Sequence, residues 1–118
     1  MNYKDLQVWQ KAMSLSVDIY KLTNTFPKHE LFSLVSQMRR SAVSIASNIA
    51  EGNGRESEKE FVRFLQIAKG SANELECQIM IAYRVGYLAE ELQTKLIKQC
   101  DEIIKMIVSL IKAIKSKS

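Results

Sequence analysis

The sequence predicts an all-α fold, an antiparallel up-down-up-down four-helix bundle in one domain spanning residues 1–118. Three observations predict it. Four amphipathic stretches are separated by short breakers, and short connections between long helices make sequential neighbours antiparallel. One Pro and four Gly in a chain that is 47% hydrophobic argue against disorder and against a turn-rich sandwich. No stretch alternates with the period of a strand, and no internal repeat is present.

The first helix runs from about Lys4 to Asn24, ahead of Thr25-Phe26-Pro27. Val8, Ala12, Leu15, Ile19 and Leu22 recur at helical spacing. A second stripe, Leu6, Trp9, Met13, Val17 and Tyr20, lies beside them. The combined apolar arc is wider than one bundle core needs. Pro27 either opens a short helix through Glu30 or directly begins the next long one.

The second helix ends at Gly52-Asn53-Gly54, a C-cap and loop signal. Its polar face is unusual for water. Ser36, Gln37, Ser41, Ser44, Ser47 and Asn48 carry it, with no Lys or Glu between Ser36 and Ala50. Short hydroxyl and amide side chains compete for backbone hydrogen bonds and are poor choices on a solvated helix face. They suit a face that another helix approaches closely, so this helix is expected to be covered on most sides.

Ser57, with Glu60 three residues on, reads as the capping box of the third helix. Phe61, Leu65, Ala68, Ala72, Leu75, Ile79 and Ala82 then form a heptad seam. Gly70 costs about 1 kcal/mol against Ala in a helix interior, so a close backbone contact is its expected compensation. Gly86 closes this helix and Tyr87-Leu88 leads into the fourth, roughly Glu90 to Ile114. Leu92, Leu96, Ile103, Ile107, Leu110 and Ile114 share one face there, widened by Cys100, Ile104 and Ile111. Lys98, Lys105 and Lys112 recur every seven residues on the other. At about 1.5 Å per residue the bundle should be a rod roughly 30–45 Å long.

Net charge is +4 and the isoelectric point about 9.1. Residues 31–55 hold three Arg against one Glu, and residues 89–118 six Lys against four acids. Such a balance permits an anionic partner without demanding one. Cys77 and Cys100 lack metal-ligand spacing and read as reduced core thiols. No apolar run follows the N-terminus as in a signal peptide, and Ile103 to Ile114 is too short to span a bilayer. A cytoplasmic protein without a membrane partner is expected.

Taken in order, several segments resemble one family. They are Lys4-Asp5-Leu6-Gln7-Val8-Trp9-Gln10-Lys11-Ala12, Phe26-Pro27-Lys28, Ser36 to Ile45, Ser47-Asn48-Ile49-Ala50-Glu51-Gly52 with Gly54-Arg55, and Lys59-Glu60-Phe61 with Arg63-Phe64-Leu65. Ala68, Gly70-Ser71, Glu74-Leu75-Glu76 and Gly86-Tyr87-Leu88 extend the pattern. The chain thereby resembles the four-helix-bundle proteins encoded by intervening sequences in bacterial 23S rRNA genes. Ala46 and Ala89 depart from a frequent Pro and a frequent Ser or Thr cap. The resemblance implies a left-handed antiparallel bundle assembled as a homopentameric barrel. It also extends to the accessory protein of diversity-generating retroelements, which implies a basic adaptor surface for RNA or a reverse-transcriptase-type protein.

An enzyme needs converging acids, bases, nucleophiles or metal ligands. His29 stands alone in a polar segment, the Glu-x-x-His pairs of a di-iron bundle are missing, and Gly52-Asn53-Gly54 lacks the Lys and strand of a phosphate loop. No catalytic residue, metal, cofactor or small-molecule substrate is therefore expected. Arg39 falls inside the apolar arc of the second helix. It reads either as a structural ion pair, with Glu74 or Glu76, or as a partner contact. Arg40, Arg55, Arg63, Lys98, Lys105 and Lys112 complete the candidates for a partner or nucleic acid. Ser44, Asn48, Glu51, Gly52, Gly70 and Glu74 are expected to serve packing or a subunit interface, with Arg40 and Glu51 near one another. Trp9 and Tyr20 are assigned to a helix or subunit interface. Two functions follow: an oligomeric, non-enzymatic protein binding RNA or a ribonucleoprotein through basic surfaces, or a protein–protein scaffold whose charge serves solubility.

Overall fold

The computed structural model describes residues 2–117. It contains four α-helices and, among the described residues, no strand: α1 Gln7–Thr23, α2 Leu34–Asn53, α3 Glu58–Arg84 and α4 Glu90–Ser116. Each helix packs on its chain neighbours, and α4 returns to α1, which closes the bundle; α2 and α3 are the most closely packed pair. The molecule measures 47 × 24 × 20 Å, slightly longer than the expected rod.

Helix boundaries follow local chemistry. α1 starts at Gln7 rather than Lys4, because the Asn2 side chain accepts from the Lys4 backbone N–H and winds Tyr3–Asp5 into a 3₁₀ turn first. Pro27 precedes a second 3₁₀ turn, Lys28–Glu30, so the first of its two alternatives holds. Ser57 Oγ accepts from the Glu60 N–H at 3.1 Å. The Glu60 carboxylate turns instead to Arg63, so the capping bond forms on one side. At the end of α3, Gly86 adopts φ +89°. Tyr87 N–H reaches the Ala82 carbonyl and Gly86 N–H the Tyr83 carbonyl, the two bonds of a Schellman cap.

Of the α3 seam, Leu65, Ala68, Ala72, Leu75, Ile79 and Ala82 are buried and Phe61 is half-buried. They meet Ala12, Leu15 and Ile19 of α1, Met38, Ala42, Ile45 and Ile49 of α2, and Leu96, Cys100, Ile103 and Ile107 of α4 in one core. Each large aliphatic side chain fully buried there contributes on the order of 1.5–3 kcal/mol.

α2 ends at Asn53 with Gly54 as its C-cap at φ −80°, inside the expected Gly52-Asn53-Gly54 signal. Two expectations are corrected. Gly70 has open space where a Cβ would sit, so no contact within the chain compensates it. The close approach is instead at Gly52, buried in α2, where an added Cβ would lie 2.6 Å from Phe64 Cβ. Cys77 is exposed rather than in the core, whereas burial pushes the Cys100 thiol up to about 12.

Candidate functional site

The small polar residues of α2 divide between two environments. Ser41 is buried and donates to Glu74 Oε1 at 3.1 Å. Ser44 Oγ pairs with Ser71 Oγ at 2.8 Å, and Asn48 Nδ2 donates to the Ser44 carbonyl and hydroxyl at 2.8 and 3.0 Å. α3 thus covers this layer within the chain. Short side chains let the two backbones approach, and their polar atoms are satisfied across the seam. Ser47, Val43 and Arg40 remain exposed on the outer side of α2.

Arg39 has a structural setting, with partners other than those expected. Its Nε donates to Thr23 Oγ1 at 2.9 Å and Nη2 to Asn24 Oδ1 at 3.0 Å. The guanidinium lies 4.6 Å from the Tyr20 ring centre. It therefore ties the start of α2 to the end of α1, while Glu74 is engaged by Ser41 on the far side of the helix. Arg40 and Glu51 share a helix face but lie eleven residues apart, about 16 Å along the axis. Glu51 is held by Arg55 instead, at 2.6 Å.

Around the α2–α3 loop, Arg55 and Arg63 both stack on Phe64, with guanidinium carbons 4.9 and 4.6 Å from its ring centre. Arg63 also holds Glu60 at 3.0 Å, which lowers the Glu60 carboxyl below its usual range. Each arginine is thus balanced by a carboxylate on its own helix or the one before it. The pairs are solvated and modest in energy, but they cancel much of the local positive field.

Lys98, Lys105 and Lys112 are exposed on α4. Asp101 and Glu102 follow Lys98, and Glu102 is bound by Lys11 of α1. Beyond Glu102 the helix carries Lys105, Lys112, Lys115 and Lys117 with no acid. The second half of α4 therefore carries a run of lysines with no acid on its own helix. Its end packs beside Glu58, Lys59 and Val62 at the start of α3. The candidate cations consequently occupy three places: the α1–α2 seam, the α2–α3 loop and the outer face of α4.

Several contacts escaped sequence reasoning. Buried Ser16 donates to the carbonyls of Ala12 and Ala42, bonding α1 to α2. Tyr87 donates to Glu30 at 2.6 Å while its ring packs on Phe26, clamping the two interhelical loops at one end. That bond lowers the Glu30 carboxyl and raises the Tyr87 phenol. Glu76 turns a carboxylate oxygen into the α3–α4 seam, where burial and Asp101 opposite raise it to about 7. A spacing signal for these existed only for Ser16, a hydroxyl beside the core stripe of α1. Among the described residues no three His, Cys, Asp or Glu side chains gather as a metal site, and no helix is long and apolar enough to cross a membrane.

Comparison with known proteins agrees with this architecture. The family model described as 23S rRNA-intervening sequence protein matches residues 4–109. A crystal structure from Bacteroides thetaiotaomicron, described as a protein with unknown function from the S23 ribosomal protein family, superposes with a TM-score of 0.84. It is 29% identical, over 95% of this chain and 99% of that one. The curated proteins give no match.

Proposed function

From the premise that this chain belongs to the 23S rRNA-intervening sequence protein family, we propose that it is a non-enzymatic, cytoplasmic oligomer that binds RNA or a ribonucleoprotein through basic surfaces. The observation that carries this reading is the second half of α4, where Lys105, Lys112, Lys115 and Lys117 are exposed and no acid follows Glu102. A lysine row of this kind contacts phosphates without reading bases, so binding should be backbone-directed and steeply salt-dependent. Displayed on several subunits, its charges add to a field that one chain does not produce. A reverse-transcriptase-type protein is the partner class suggested by the retroelement resemblance.

The bundle is taken as antiparallel and as one domain. Pairings that descend on one helix as they rise on the next support this: Ser16 with Ala42 and Thr23 with Arg39, then Ser41 with Glu74 and Ser44 with Ser71. The assembly is taken as a homopentamer, as the family resemblance implies. Exposed Met13, Val17, Tyr20, Ile67 and Ile81 support further association. Light scattering should give about five times the 13.5 kDa subunit mass. A monomer at micromolar concentration would remove the oligomer.

Filter binding of structured RNA across a salt series tests the function. Retention at low salt that falls steeply as salt rises is expected, and no retention by the assembled protein would sink the RNA reading. The second reading, a protein–protein scaffold, is favoured by the same exposed apolar side chains. It predicts a protein partner that survives nuclease treatment in a pull-down.

A further inference from the structure

We propose that the open seam between the end of α1 and the start of α4 is a binding site for an aliphatic carboxylate, held by Lys21 and Lys95 over a floor of leucines. The site uses none of the residues assigned to RNA and stands independently of that reading.

Local chemistry leaves this seam open. α1 and α4 are the most loosely packed of the four neighbouring helix pairs. Leu88, Leu92 and Leu96 stand four residues apart, and Leu22 of α1 meets them. Leu22 and Leu96 are buried, but Leu88 and Leu92 are only half-buried. Around Leu22 the chain offers Asp18, Lys21 and Thr25, short or charged side chains that do not close over the leucines. The result is a cavity of about 380 Å³ with an apolar floor and a polar rim. Small-molecule sites span about 300–1,000 Å³ and share that build.

What the cavity takes follows from which of its polar groups are free. Asp18 Oδ2 accepts from Gln99 Nε2 at 3.2 Å, and Thr25 Oγ1 donates to the Leu22 carbonyl at 2.7 Å. The Tyr87 hydroxyl donates to Glu30 at 2.6 Å while its ring packs on Phe26, which fixes one end of the cavity. Each of these groups already has its partner. Lys21 of α1 and Lys95 of α4 are exposed, and among the described residues neither stands in an ion pair. Glu91, one turn before Lys95, is not part of the wall.

The walls therefore present two ammonium groups against one carboxylate, above apolar surface. That pattern suits a ligand with one anionic head and an unbranched apolar tail. A sugar or a nucleobase finds no free set of donors and acceptors there, and its polar atoms would be buried unpaired. A neutral hydrocarbon fills the floor but leaves both cations unused.

Isothermal titration of the full chain with octanoate at low salt tests this. Saturable binding of one octanoate per chain is expected, and each methylene between hexanoate and decanoate should tighten it about two- to fourfold. Octanol should bind about tenfold more weakly, and octylamine should not bind. Lys21→Ala with Lys95→Ala, both at exposed positions, should weaken octanoate about tenfold and leave octanol unchanged. Leu92→Trp, which fills the half-buried floor, should abolish binding at every chain length while circular dichroism stays helical. No saturable heat with decanoate below its micelle concentration would overturn the proposal. So would octanol binding as tightly as octanoate, or full octanoate affinity in the double lysine variant, since these cations would then not read the head group. Lys105→Ala with Lys112→Ala should bind octanoate like wild type; a loss there would place the anion on the outer face of α4 and overturn the assignment as well.

Discussion

Gly52 of α2 faces Phe64 of α3 so closely that a methyl group on Gly52 would stand 2.6 Å from Phe64 Cβ. The Phe61 carbonyl oxygen, at 3.3 Å, closes the other side. Neither atom is the free end of a side chain, so the helices themselves would have to part. Gly52→Ala should therefore destabilise by about 1–3 kcal/mol despite the better helix propensity of Ala. Urea unfolding measures it; a variant as stable as wild type would show that the seam relaxes without cost.

Arg39 makes two hydrogen bonds to α1 and covers Tyr20. Arg39→Ala should cost about 1–2 kcal/mol, since a charged donor is lost from a half-buried site along with its stacking. Arg39→Lys should recover less than half, because an ammonium lacks the planar fork that reaches both acceptors. A double-mutant cycle with Asn24→Ala isolates the shared bond. Coupling near zero, or a loss of RNA retention without loss of stability, would return Arg39 to the binding surface.

Glu76 gives stability a pH dependence. Its folded carboxyl is raised from 4.5 to about 7 by burial and by Asp101 across the seam. The folded protein therefore holds a proton that the unfolded chain has already released. Its contribution is complete below about pH 4.5 and is lost as pH rises through 7. Glu76→Gln should stabilise by about 1 kcal/mol at pH 8 and by little at pH 4, a figure discounted because solvent reaches part of the group. Urea midpoints at the two pH values decide it. An equal effect at both would mean packing rather than ionisation.

Periodicity carried the architecture because it reports which side of a helix turns inward. The α3 seam from Leu65 to Ala82 is buried residue for residue, and the Ser57 and Gly86 signals stand at its two ends. Periodicity does not say which helix lies next door or how far away. Arg39 was legible as a structural cation, but Thr23 and Asn24 became its partners through a chain reversal that no spacing encodes. Gly52 and Gly70 look alike as letters, and only the distance to the neighbouring backbone separates a tight contact from an open surface. Glu76 and Asp101 are twenty-five residues apart and meet only once α3 and α4 are laid together.

The three groups of cations should respond differently when nucleic acid is offered. Arg55 and Arg63 already hold Glu51 and Glu60, so a phosphate must displace a carboxylate to reach them. Among the described residues no carboxylate is paired with the lysines after Glu102, although Lys105 stands beside Asp101 and Glu102. Each lysine–phosphate contact releases condensed counterions and contributes about 0.7–0.9 to the slope of log affinity against log salt. Lys105→Ala with Lys112→Ala should lower that slope by about 1–2, whereas Arg55→Ala with Arg63→Ala should change it much less. Filter binding of one structured RNA at several salt concentrations measures both, with light scattering confirming that each variant remains assembled. A larger drop from the arginine pair would move the interface to the α2–α3 loop, and no change from either pair would leave the scaffold reading in possession of the protein.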